Sequence, residues 1–335
     1  MDPLTHGLTA YALKRALFSR QGREVTLAMI LAAVIGDVDW IAYSFGPRSF
    51  LHGHATVSDS LLGVVLISLI VAAICLFARK REAAVRISIG IFLASTCAGF
   101  FRLTLDVCSS SGVGLYWPFR SAPVALDWLP GLDPWILIAL LAAILMPELF
   151  SLISGEIGAR SKGPRGQAAA IAGLVLLVAY GTMRATLHHN AASLLQSRSY
   201  EGQATRRAAA FPDTTSLFIW HGITETESSL HILDVNAAPG AFFNPDAALN
   251  LHKPEASPAL QAVQSNQVSK EFLEFARFPK VTIEREASGF LAEIHDLRYQ
   301  ASGQTLGAIQ VEINLDASGK VTFAQLEWEK PKPGR

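Results

Sequence analysis

Two histidines and four aspartates are the residues of this chain best suited to act together: His6, Asp37, Asp39, His54, Asp59 and Asp106. Each lies at or near the end of an apolar segment, where an acidic or imidazole side chain is costly unless its desolvation is offset. Carboxylates mixed with imidazoles suit zinc, manganese or iron; carboxylates alone would suit magnesium or calcium. A divalent ion among them would neutralise the clustered aspartates, and would activate water or polarise a phosphoryl or carbonyl oxygen. Taken singly, each residue has a plainer role: an aspartate at a helix start is often a cap, and a histidine at a helix end is often solvated. A shared site is favoured because all six fall on one side of the topology that the surrounding segments require.

The chain has 335 residues, 50% hydrophobic and only 17% charged, against about 25% charged in an ordinary soluble domain. The deficit is concentrated. Residues 1–190 are mostly long apolar runs, and residues 197–335 read as a soluble protein. An α-helical membrane domain followed by a small α+β domain with an antiparallel sheet is therefore expected. About 20 apolar residues cross a bilayer as a helix. Leu61–Ala78, Val85–Phe101, Trp135–Ile153 and Ala168–Leu187 read as full spans, with Arg184 near the end of the last placed to snorkel to the interface. Leu4–Phe18 and Val25–Ile35 are shorter and apolar on most sides, and read as a helical hairpin entering the membrane.

Basic clusters set the orientation. Lys14, Arg15, Arg20 and Arg23, then Arg79-Lys80-Arg81 with Arg86, then Arg160, Lys162 and Arg165, fall on alternate loops. The positive-inside rule makes those loops cytoplasmic. The 36–60 and 102–134 loops, the C-terminal domain and all six candidate ligands then project to the extracytoplasmic face. Cys75, Cys97 and Cys108 read as small membrane-embedded hydrophobes, not as a disulfide framework. A net charge of zero gives no electrostatic footprint for nucleic acid.

The segment from Asp106 to Trp135 is turn-rich, with Gly112 and Gly114, and Trp117, Trp128 and Trp135 read as an interfacial aromatic belt. Asp133 before Pro134 is a natural helix start, a cap first and a site residue second.

These motifs resemble the YdjM-like family of predicted membrane-bound metal-dependent hydrolases. The family begins with Asp-Pro-x-Thr-His, matched by Asp2-Pro3-Leu4-Thr5-His6. Its Pro-Asp-x-Asp after the second helix is matched by Gly36-Asp37-Val38-Asp39. Its His-Arg-Gly-x-Thr-His-Ser is matched by His54-Ala55-Thr56-Val57-Ser58-Asp59-Ser60. Its His-x-x-x-Asp, followed by a Gly-Val-x-Leu-x-x-Pro-Phe stretch, is matched by Arg102 to Asp106 and by Gly112 to Phe119. Asp133-Pro134-Trp135, Phe278-Pro279 and Asp296-Leu297-Arg298-Tyr299 resemble later parts of the pattern. The resemblance implies a metal-dependent hydrolase anchored in a bacterial inner membrane, without naming a substrate. Two departures stand out: Asp59 and Arg102 occupy positions where the family has histidine. Aspartate still ligates a metal, whereas a guanidinium only donates hydrogen bonds. Arg102 would either bind a substrate phosphate or carboxylate or pair with Asp59 in place of a metal-linked contact.

Beyond residue 197 the pattern alternates. Ser216–Gly222, Ser229–Asp234, Val281–Glu284, Phe290–His295, Ala308–Ile313 and Val321–Trp328 read as strands, and Asp316–Gly319 as a hairpin turn. Lys270–Phe278 reads as a short amphipathic helix. His221, His231, His252 and His295 lack ligand spacing and read as sheet or surface histidines.

Two functions follow. The first is a metal-dependent hydrolase at the extracytoplasmic membrane face, acting on a lipid or lipid-linked ester. Zinc or manganese would be held by His6, Asp37, Asp39, His54, Asp59 and Asp106, with Asp59 a candidate general base and Arg102 a candidate substrate ligand. The second is a catalytically degenerate membrane protein whose soluble domain binds a partner or envelope component. Geometry separates them: an Arg102 that reaches Asp59 and fills the centre of the cluster argues for the second.

Overall fold

The computed structural model describes residues 1–38, 42–53, 57–77, 81–120, 123–157, 166–302 and 308–329. Its contacts divide the chain into two compact units, Met1–Asp39 with Ala55–Ala185, and Trp40–His54 with Thr186–Arg335.

The first unit is helical. Helix α1 (Pro3–Leu17) starts where Asp2 accepts the Thr5 N–H at 2.9 Å, with Pro3 in the first helical position. Helix α2 (Arg23–Val34) runs into a 3-10 turn, Ile35–Val38. Helix α3 (Pro47–Gly53) belongs to the second unit; after it come α4 (Leu61–Phe77), α5 (Arg81–Cys108), α6 (Pro134–Ile157) and α7 (Gln167–Gln196), the last running on into the second unit. Small residues let the helices approach closely: Ala10, Ala28, Ala33, Ala72, Ala94 and Ala98 are buried with Leu13, Met29 and Ile91. Leu69, Ile70, Ile74, Ile138, Leu145, Phe150, Val175 and Val178 are exposed. In water such a surface would be a liability; in a bilayer it is the lipid-facing side.

Three helices, Arg86–Cys108, Pro134–Ser151 and Gln167–Gln196, are long and apolar enough to cross a membrane. The expectation of four full spans is not met among the described residues. Leu61–Phe77 has 17 residues, about 25 Å of helix against a hydrocarbon core of about 30 Å. Arg184 also departs from expectation. It is 1% exposed and its Nε donates to the Trp128 carbonyl at 3.2 Å, an internal partner in place of the interface.

The second unit holds two antiparallel four-stranded sheets where a single sheet was expected. One has the order β3-β4-β5-β6: Arg207–Pro212, Ile219–Glu225, Ser229–Asn236 and Leu249–His252. The other has the order β10-β9-β8-β7: Val321–Trp328, Ile309–Asp316, Gly289–Asp296 and Pro279–Glu286. A two-stranded ribbon, β1 (Ser199–Tyr200) with β2 (Gln203–Ala204), precedes them. Ile309, Val311, Ile313 and Leu315 show the two-residue period of a half-buried strand and share a core with Val263 and Phe272. Those last two come from helices α8 (Pro258–Ser265) and α9 (Gln267–Phe275). The expected turn closes β9 onto β10: Asp316 accepts the N–H groups of Ser318 and Lys320, and Gly319 supplies φ +82°. Tyr43 and Phe50, though distant in sequence, belong to this unit and pack on Trp328, with ring centroids 4.1 and 5.6 Å away.

The Phe278-Pro279 and Asp296–Tyr299 motifs meet in one structural knot. Pro279 lies opposite Asp296 in the β7–β8 register. Asp296 accepts the backbone N–H groups of Arg277, Phe278 and Arg298 at 3.0, 3.3 and 3.1 Å, and Arg298 Nε at 2.7 Å.

Candidate metal centre

The capping explanation can be tested residue by residue. Asp2 is a cap, and so is Asp133, whose Oδ1 accepts from the Trp135 and Ile136 N–H groups while Oδ2 accepts from the Tyr180 hydroxyl at 2.8 Å. The other aspartates are placed differently. Asp37 sits in the 3-10 turn after α2, and Asp106 lies inside the last turn of α5. At the start of α4 it is Ser60 whose Oγ accepts the Gly63 N–H at 2.9 Å, while Asp59 turns to Arg102.

His6, Asp37, Asp59, Arg102 and Asp106 are all buried, none more than 8% exposed. His6 Nε2 stands 3.1 Å from Asp106 Oδ1 and 3.7 Å from Asp37 Oδ1. Among the described residues, His6, Asp37 and Asp106 form a group whose ligand atoms all lie within 4.8 Å of one another. Three atoms of this group have no hydrogen-bond partner among the described residues: His6 Nδ1, Asp37 Oδ2 and Asp106 Oδ2. Buried polar atoms are rarely left unpaired without a reason, and an unfilled ligand position is one such reason. Asp39 and His54 lie outside the described residues.

Arg102 borders this group. Its Nη2 donates to Asp37 Oδ1 at 2.9 Å and to Asp59 Oδ1 at 2.5 Å. Its Nε donates to Asp37 Oδ1 at 3.3 Å and lies 3.2 Å from Asp106 Oδ2, and its Nη1 donates to the Ser58 carbonyl at 3.1 Å. Arg102 thus reaches Asp59 and stands among all three carboxylates, in contact with Asp37 and Asp106 as well, the arrangement that favours the ion-pair reading. The Met1 amino group also pairs with Asp106 Oδ1. Sequence reasoning missed Gly36. An ideal Cβ there would lie 2.3 Å from Arg102 Cζ, so the guanidinium passes where a side chain would stand. The signal was present as a glycine in place of the proline of the motif.

A family model for the YdjM inner membrane protein matches residues 1–191. This chain belongs to that family. The matched stretch contains the whole polar centre and the apolar helices, and the family and these helices together support localisation in the inner membrane. The matched part ends before the two-sheet domain, so the Phe278-Pro279 and Asp296–Tyr299 likeness lies beyond it. No curated protein and no solved structure matches the chain.

His221, His231, His252 and His295, the four histidines of the strand-rich part, each have a local partner. His221 lies between Asp234 and Asp213, at 2.7 and 3.3 Å. His231 stacks on Tyr200, His252 meets Ser229 at 2.8 Å, and His295 lies 3.4 Å from both Glu293 and Glu329.

Proposed function

We propose that this inner-membrane protein is a metal-dependent hydrolase whose ion is held by His6, Asp37 and Asp106. One observation carries this: three ligand-type side chains from separate segments converge within 4.8 Å while keeping unpartnered buried atoms. One imidazole nitrogen and two carboxylates match zinc or manganese in number and chemistry. When bound, such an ion would supply Lewis-acid activation of water and of an ester oxygen. The chain's own residues do the rest. Asp37 Oδ2, which has no hydrogen-bond partner among the described residues, would accept the proton leaving the attacking water. Asp59 and Arg102 act as an ion pair that orients Asp37, since most of the guanidinium's donors are committed to protein acceptors. By the charge pattern of the loops, the site faces the extracytoplasmic headgroups, which points to a lipid or lipid-linked ester and to membrane lipids as the principal partners.

A second reading has its own observation. Arg102 and the Met1 amine pair with Asp37, Asp59 and Asp106 and would offset most of their charge without any ion. The centre would then be a structural ion-pair knot in a non-catalytic membrane protein whose soluble unit binds an envelope component.

Metal content of the detergent-purified protein decides between them, for the wild type and for Asp37→Ala with Asp106→Ala. Near-stoichiometric zinc or manganese in the wild type, lost in the double variant, supports the hydrolase and directs a screen of phospho- and acyl esters. A folded wild type that takes up no ion supports the knot.

A further inference from the structure

We infer that Tyr43, Phe50 and Trp328 are positioning residues for the polar centre: the soluble unit grips the segment that joins Asp37 to Asp59, and so holds both carboxylates at Arg102. The inference concerns those two side chains with or without an ion, and its consequence for metal binding rests on the hydrolase reading above.

Chain order makes the connection. Asp37 lies in the 3-10 turn Ile35–Val38, and Asp59 stands two residues before helix α4. Both accept from the same Arg102 Nη2. The chain between them therefore leaves one guanidinium and returns to it. Its middle does not stay with the helical unit. Trp40–His54 belongs to the second unit, and the chain re-enters the first at Ala55.

The grip is aromatic. Phe50, on α3, is 4% exposed and shares a core with Ile294, Ile309 and Val311 of the sheet. The Trp328 ring, at the end of β10, lies 4.1 Å from that of Tyr43, and Tyr43 meets Phe50 edge-on at 6.1 Å. Arg48 Nη2 adds bonds to both carboxylate oxygens of Glu271 on α9, at 2.8 and 3.0 Å. Between the two aromatic residues the backbone is fixed locally. Gly46 takes φ +103°, its N–H donates to the Tyr43 carbonyl, and its own carbonyl accepts the Phe50 N–H.

An unanchored connection would lose the conformational freedom of every residue between Asp37 and Asp59 when the two carboxylates meet one guanidinium. With its middle held, only the flanks remain to be ordered. Tyr43 follows Asp37 by six residues, and Phe50 precedes Asp59 by nine. Contacts that lock such side chains in advance are what keep a polar centre at its working geometry.

The test is hydrogen–deuterium exchange of the full chain in detergent, read by mass spectrometry and paired with a manganese titration. Trp328→Ala should speed exchange at Ile35–Val38 and at Ser58–Gly63, and weaken manganese binding about tenfold or more. Trp328→Phe keeps an aromatic face and should restore most of both. Val235→Ala, in the core beside the other sheet, should lower the stability of the soluble unit and move neither readout. Tyr43→Ala, at a partly buried position, carries the same expectation as Trp328→Ala should loss of the indole unfold the unit. Unchanged exchange at Ile35–Val38 and Ser58–Gly63 in a folded Trp328→Ala or Tyr43→Ala protein would overturn the inference. Equal changes in Val235→Ala would overturn it as well, since general loosening would then explain them. A wild type that takes up no manganese, with exchange at both ends still dependent on Trp328, would overturn the hydrolase reading and leave the inference standing.

Discussion

Two buried aspartates in this molecule each bond to an arginine, and they differ in what remains unpaired. Asp296, in the soluble unit, accepts three backbone N–H groups and Arg298 Nε, and none of its oxygens is left without a partner. Asp37, in the helical unit, accepts from Arg102 through one oxygen and leaves the other unpartnered. Asp106 lies between them: its Oδ1 faces His6 and the Met1 amine, and its Oδ2 lacks a hydrogen bond but is 3.2 Å from Arg102 Nε. A saturated carboxylate holds chain segments together; a buried one with acceptor capacity in reserve is placed to hold something else. The distinction between a structural and a functional polar cluster lies in the accounting of lone pairs, because the residue types are the same.

The comparison can be broken most decisively at Asp296. Asp296→Ala would strand three N–H groups and the Arg298 charge, and should destabilise the soluble unit by about 3–5 kcal/mol. Thermal unfolding of the full chain in detergent, followed by tryptophan fluorescence, reads this, and metal uptake should be unchanged. A variant of undiminished stability would show that saturation is not what makes the knot structural.

Next in size is Gly36→Ala. The new methyl would displace the guanidinium at a cost of about 1–3 kcal/mol, measurable as a lower melting temperature of the helical unit. Arg102→His in the same chain should recover much of the loss by removing the obstructed group. Equal stability of Gly36→Ala and wild type would mean that Arg102 does not need the space beside Gly36.

Asp106→Ala sharpens the other side. It should weaken manganese binding at least about tenfold, or about 1.4 kcal/mol, in an equilibrium titration, whereas Asp296→Ala leaves the titration unmoved. Loss of binding in both would erase the contrast.

The smallest effect concerns pH. Burial raises the Glu225 carboxyl, but the Lys253 ammonium and Arg207 outweigh it and hold the group below its ordinary value of 4.5. A lowered folded value means the stabilisation is complete above pH 4.5 and is lost as pH falls through the lower value. Lys253→Met should therefore flatten the acid limb of the stability curve for the soluble unit. An unchanged limb would assign acid sensitivity to other groups.

Much of the helical unit was legible because bilayer-length apolar runs are long-range signals. The hairpin turn at Asp316–Gly319 was legible for the opposite reason, since its chemistry is entirely local. Leu61–Phe77 was harder, because a run of 17 apolar residues sits at the threshold where length alone stops deciding. Arg184 was misread because snorkelling is the default for an arginine near a helix end. Its partner, the Trp128 carbonyl, comes from a loop that no local pattern links to it. The packing of Tyr43 and Phe50 onto Trp328 depends on contacts across hundreds of positions and has no periodic signature, and the division of consecutive hairpins into two separate sheets is set by where pairing stops between β6 and β7, which no local pattern marks.

The sequence by itself determined that this protein has two parts suited to different solvents, and that His6, Asp37, Asp39, His54, Asp59 and Asp106 need a common explanation. Both follow from desolvation, a property that each residue carries into any fold. Only the tertiary structure decided how the contacts are shared: His6 beside Asp37 and Asp106, and Arg102 in the space beside Gly36, bonded to Asp37 and Asp59 and 3.2 Å from Asp106. Partition of that kind depends on which lone pair faces which charge at about 3 Å, and a linear order of residues does not contain it.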